Sequence, residues 1–67
     1  MIELEQLQQL IAVSEAGTIS AAADSLHLSQ PALTRSLQRL EAELGVSLFH
    51  RKRNRVALND VGELALA

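Results

Sequence analysis

The chain has 67 residues, 48% hydrophobic and 1% aromatic, with no cysteine and a formal net charge of −2 at pH 7. A chain of this length holds one small domain, which buries only about 60% of the surface that its unfolded form exposes. The composition excludes disulfides and thiolate metal sites, and the scarcity of aromatic residues favours closely packed helices around the single Phe49 over a sandwich of strands.

Leu4, Leu7, Leu10, Ile11 and Val13 lie close to helical spacing and predict a first helix over Ile2–Ala16, stopped by Gly17. Thr18 is a suitable N-cap for a second helix, Ile19–Leu26, built on Ala21, Ala22 and Ala23. Small side chains let a neighbouring helix approach closely, although an alanine run is equally accounted for by helix propensity. His27, Leu28 and Ser29 form a short break, in which Ser29 is the cap of a third helix, Gln30–Leu44. Pro31 fits a first turn because its missing N–H would have no partner there, Ala32 at the third position leaves no capping box, and Gly45 ends the helix. Leu33, Leu37, Leu40 and Leu44 form a narrow apolar stripe facing a core. The opposite side groups Pro31, Thr34, Arg35, Gln38 and Arg39, with no acid among them.

After Gly45 the period changes. Val46–His50 and Arg55–Leu58 are strand candidates, with Lys52, Arg53 and Asn54 as the turn. A pair this small must lean on the helices. Asn59 caps a last helix, Asp60–Ala67, whose acids suit the positive end of the helix dipole and whose LALA face is apolar. No apolar run approaches the about 18 residues of a membrane span. MIELEQLQQL carries Glu3 and Glu5 where a secretory leader needs Lys or Arg, so a soluble, cytoplasmic chain is expected.

The charge is unevenly distributed. Residues 1–34 contain four acids and neither Lys nor Arg, whereas residues 35–55 contain all six bases against two acids. RKRNR on its own is commonly a solvated turn, but a local field rather than the total charge decides whether a face attracts phosphate. Two helices joined by a three-residue break, preceded by a third helix and followed by a basic hairpin, fit a winged helix-turn-helix, with the second helix of the pair entering the DNA major groove.

AAADSLHLSQPALTRSLQRLEAELGVSLFHR, followed by RVALNDVG, resembles the N-terminal DNA-binding domain of LysR-type transcriptional regulators. The likeness covers essentially the whole chain, and its sharpest parts are the A-A-x-x-L-x-L-S-Q-P-A-L-T-R, LE-x-x-LG-V-x-LF-x-R and L-x-x-x-G elements. The resemblance implies a mainly α fold: a three-helix core and short wing over residues 1–59, then the start of a linker helix over 60–67. It implies that Gln30, Pro31, Thr34 and Arg35 meet the major groove of double-stranded DNA. There Arg35 has the chemistry to pair with guanine, Gln30 with adenine and the Thr34 methyl with thymine. Ser29 and Gln38 suit phosphate contacts that set register. Arg51, Arg53 and Arg55 fall in or beside the wing, which in the family contacts backbone and minor groove; Leu33, Leu37, Leu40, Leu44 and Phe49 are assigned to the core.

Ile19 stands where the family more often has Phe, and Asn59 where it usually has Thr. Regulators of this type continue through the linker helix into an effector-binding domain and act as homodimers or tetramers on inverted-repeat operators. Here the chain stops soon after that helix begins, so an inducer site is not expected within it and its own dimerisation is left open.

Two other function classes fit the sequence less well. An enzyme needs a nucleophile–base pair or a metal cluster, yet the only histidines, His27 and His50, lack any metal-site spacing and are expected to be solvated or packed. No catalysis, metal or cofactor is therefore expected. A protein-interaction module would use the LALA end with a Leu7, Leu10 and Ile11 face, but does not need an acid-free helix face together with a basic wing.

Overall fold

The computed structural model describes residues 2–53 and 55–67, as four helices and a two-stranded hairpin: α1 Leu4–Ala16, α2 Ile19–Leu26, α3 Gln30–Leu44, β1 Phe49–Lys52, β2 Arg55–Leu58 and α4 Asp60–Leu66. The helix boundaries follow local chemistry. The Glu3 N–H donates to Gln6 Oε1 at 2.9 Å and fixes the start of α1 two residues later than the apolar spacing suggests. Thr18 Oγ1 accepts from the Ala21 N–H at 3.1 Å, Ser29 Oγ from Ala32 at 3.2 Å and Asn59 Oδ1 from Gly62 at 2.8 Å, giving α2, α3 and α4 one N-cap each. Gly17 and Gly45 end α1 and α3 in the left-handed conformation that only glycine adopts without cost, with φ of 78° and 71°. His27 takes the same conformation between α2 and α3, with φ 58°.

α1 is the hub: it packs against α2, α3, β2 and α4. Leu10 and Val13 of α1, Leu33, Leu37 and Leu40 of α3, and Leu48 are sealed from solvent, with Ala22 and Ala23 inserted from α2, so the alanines do serve close helix approach. Phe49, Val56 and Leu58 close the core from the hairpin side, and Ile19 packs at its edge. The one buried polar side chain described, Gln9, accepts from the Ser36 hydroxyl at 2.6 Å, tying α1 to α3.

Further expectations are corrected. Leu44 lies in the last turn of α3, beyond the core, and is 36% exposed. Of Leu7, Leu10 and Ile11, Leu10 is sealed in the core and so presents no contact surface, whereas Leu7 is half-buried and Ile11 is exposed. The first strand begins at Phe49, not Val46, because the N–H groups before it are engaged elsewhere. Gly45 and Val46 donate to the Glu41 carbonyl at 2.8 and 3.3 Å, and Leu48 donates to the Glu41 carboxylate at 2.8 Å.

The strands pair antiparallel in the register Phe49↔Leu58, His50↔Ala57, Arg51↔Val56 and Lys52↔Arg55. Lys52 thus belongs to β1 rather than the turn, where Arg53 adopts φ 58°; Asn54, the other expected turn residue, lies outside the described residues. β2 is also held by the helices, since Val56 N–H donates to the Gly17 carbonyl at 2.9 Å and Arg55 bridges to Thr18.

Gly62 is buried in the first turns of α4, and a Cβ there would run into the Leu48 carbonyl oxygen and lie 3.2 Å from two Leu58 side-chain carbons. Gly62→Ala is therefore expected to destabilise by about 1–3 kcal/mol. A thermal melt should show its midpoint falling by several degrees per kcal/mol, whereas Leu64→Ala, at a side chain 76% exposed, should leave the midpoint nearly unchanged. Equal shifts for the two variants would remove the steric account.

Candidate nucleic-acid interface

The leucine stripe of α3 faces the core, and this fixes what the opposite face presents. Gln30, Pro31, Arg35, Gln38 and Arg39 are exposed and Thr34 is half-buried. Gln30, Pro31, Thr34 and Arg35 line one open depression along the N-terminal half of α3, with no acidic side chain in its lining. The first turn of α3 also contains no acid, so the positive end of its dipole is left uncompensated by its own side chains. Ser29 sits at that end as an exposed N-cap; its oxygen accepts from Ala32, which leaves the hydroxyl proton available for an external acceptor.

Arg35 and Arg39 also line a neighbouring depression, together with Glu5 of α1. Periodicity along α3 gives a face free of acid, but tertiary packing brings an α1 carboxylate to its edge. No signal within α3 carries that information; Glu5 falls one turn before the buried Gln9, and only the packing of α1 on α3 makes the connection.

The hairpin does not gather its bases on one face. Arg51 lies opposite Val56, on the core side of the ribbon, but is exposed, whereas Lys52 and Arg55 are paired on the other side and Arg53 occupies the turn. Ser29, Gln30, Pro31, Thr34, Arg35 and Gln38 are thus united on one helix, while Arg51, Arg53 and Arg55 are spread around a basic tip. Lys52 joins that tip; sequence reasoning missed it by placing it in the turn. It also missed Glu41, whose carboxylate holds the segment between α3 and the hairpin.

Residues 4–63 match the family model described as "Bacterial regulatory helix-turn-helix protein, lysR family". The chain belongs to this family. Among its relatives, the HTH-type transcriptional regulator TcbR of Pseudomonas sp. (strain P51) is 48% identical over 97% of this chain and 22% of its own length. ClcR of Pseudomonas putida is 51% identical over 91% of this chain and 21% of its own length. The chain therefore spans about a fifth of the length of these relatives. The fold matches the crystal structure of a CbnR DNA-binding domain–DNA complex with a TM-score of 0.89 and 48% identity, over 97% of this chain and 75% of that one. These 67 residues are a winged helix-turn-helix DNA-binding domain of LysR type, a family of transcriptional regulators rather than of enzymes. No described helix is long and apolar enough to cross a membrane.

Arg53 holds a left-handed backbone conformation that a side chain with a Cβ adopts only at a cost. Arg53→Gly is expected to raise stability by about 0.5–1 kcal/mol in denaturant unfolding, the relief of strain being partly offset by the greater freedom of glycine in the unfolded chain. A loss of stability would mean that the Arg53 side chain packs in a way that outweighs the strain.

Proposed function

We propose that the chain binds operator DNA sequence-specifically, with α3 in the major groove and the hairpin tip on backbone and minor groove. The observation that carries this reading is the open, acid-free depression formed by Gln30, Pro31, Thr34 and Arg35 on a helix whose other face is locked into the core. Arg35 has the fork geometry for guanine, Gln30 the paired donor and acceptor for adenine, and Thr34 a methyl for thymine. Ser29 and Gln38 hold phosphates and set register, while Arg51, Arg53 and Arg55 neutralise backbone charge and enter the minor groove. The domain spans residues 1–59, and residues 60–67 begin the linker helix.

In the full-length protein, the domain serves a homodimer or tetramer on an inverted-repeat operator, under an effector-binding domain outside these residues. The relatives' much greater length supports this. The chain acts in the cytoplasm, associated with the nucleoid, without catalysis and without a cofactor.

Fluorescence anisotropy of short labelled duplexes across a salt series tests the reading, using the chain alone and fused to a dimerising coiled coil. Arg35→Ala should cost about 1–3 kcal/mol and blur preference at one base position, whereas Arg55→Ala should weaken all duplexes alike and reduce the salt slope by about one. Identical effects of the two changes on every duplex would overturn this division of roles. Absence of salt-sensitive binding in both formats would overturn DNA binding itself.

A further inference from the structure

Glu41 is an acid at the inner end of the helix proposed to approach a polyanion, and simple electrostatics makes it a liability there. Its surroundings give it other work. Its carbonyl receives the Gly45 and Val46 N–H groups, and its half-buried carboxylate receives the Leu48 N–H at 2.8 Å and, more weakly, the Ser47 hydroxyl at 3.3 Å. The other side of this segment is tied to the cap of α4. Asn59 N–H donates to the Leu48 carbonyl at 2.9 Å, and Asn59 Nδ2 donates to the Ser47 carbonyl at 2.9 Å. Asn59 Oδ1 in turn caps α4 through Gly62, whose missing Cβ lets α4 sit against the same Leu48 carbonyl. A single peptide unit on each side of Leu48 thus joins three elements: α3 through Glu41, the hairpin through the chain into Phe49, and α4 through Asn59.

We propose that Glu41 is a positioning residue for DNA binding. By holding Leu48, it fixes where the basic hairpin stands relative to α3, so that both reach the same duplex. The proposal rests on the DNA-binding reading above. A charge-assisted bond to a half-buried N–H resists water better than an exposed ion pair, and its loss leaves that donor without its partner. The effect on DNA is therefore opposite in sign to that of removing an ordinary surface acid, which would strengthen binding to phosphate.

The test compares the chain with Glu41→Ala and Glu41→Gln in the same anisotropy salt series, with amide exchange at Leu48 read alongside. Glu41→Gln keeps an oxygen that accepts the Leu48 N–H and removes the charge, so it should bind duplex as tightly as the parent or tighter, with Leu48 still protected. Glu41→Ala should bind about three- to tenfold more weakly, with a salt slope lower by about one and a fast-exchanging Leu48 amide, as the hairpin contacts are lost. Its relative preference among duplexes, which α3 sets, should persist. Should Glu41→Ala fail to fold, Glu41→Asp takes its place: it keeps the charge but falls one methylene short, and should weaken binding in the same way. Glu41→Ala and Glu41→Gln both binding as tightly as the parent or tighter would overturn the proposal and leave Glu41 a surface acid. Glu41→Gln failing as badly as Glu41→Ala would overturn it too, because the acceptor oxygen would then not be the cause. If the parent chain itself shows no salt-sensitive binding, the DNA-binding reading fails first and the proposal falls with it.

Discussion

Everything that this domain presents to a partner depends on burial of the Leu33, Leu37 and Leu40 stripe against α1 and α2. A helix of fifteen residues has little stability of its own in water, and these three side chains are sealed almost completely. Each buried leucine contributes about 1.5–3 kcal/mol relative to exposure, so rotating α3 about its axis by even part of a turn would forfeit several of these contributions together. The Ser36–Gln9 hydrogen bond reinforces that choice, because a slipped register would leave a buried amide without its donor. The outward face, from Gln30 to Gln38, is therefore fixed by the inward one. The core is in this sense part of the site.

Much of this was legible in the sequence because it is local. Thr18, Ser29 and Asn59 cap the helices that follow them, and Gly17 and Gly45 end the helices before them, as short-range chemistry requires. The polar face of α3 follows from helical spacing alone. What failed was decided by contacts that helical and strand spacing do not carry. Leu44 continues the apolar spacing, yet the core ends before it. Val46 continues a strand-like pattern, yet the N–H groups around it are engaged by α3. Glu5 is remote from Arg35 in sequence but shares a depression with it. Gly62 was visible only as part of a family pattern, and its reason, the approach of α4 to Leu48, is tertiary.

The hairpin shows the same division. β2 buries Val56 and Leu58 by simple alternation and β1 buries Phe49 at its start, but two strands of four residues do not hold themselves in water. Their stability is borrowed at three points: the Gly17 carbonyl and the Thr18 bridge on the α1–α2 connection, Leu58 beneath α4, and Glu41 on α3. The bases Arg51, Lys52, Arg53 and Arg55 gather at and beyond the Thr18–Arg55 anchor. Like charges concentrated there repel one another and weaken the isolated domain slightly, a cost that phosphate contact would turn into gain.

The acidic total charge fits this division of roles. With a net charge of −2, the domain as a whole does not favour a polyanion; all six of its bases lie on α3 and the hairpin. Glu5, which lines a depression with Arg35 and Arg39, offsets part of that positive charge at the edge of the outward face of α3. Non-specific affinity comes almost wholly from phosphate neutralisation, so a domain with few bases and a nearby acid gains little from DNA in the wrong register. Discrimination is a difference between affinities, and it grows when the sequence-independent part is kept small and the base contacts are rigidly placed. On the proposed reading, the acids of α1 and the sealed leucines of α3 act toward one end: the former limit attraction to any duplex, and the latter keep Gln30, Thr34 and Arg35 where only a matching sequence can satisfy them.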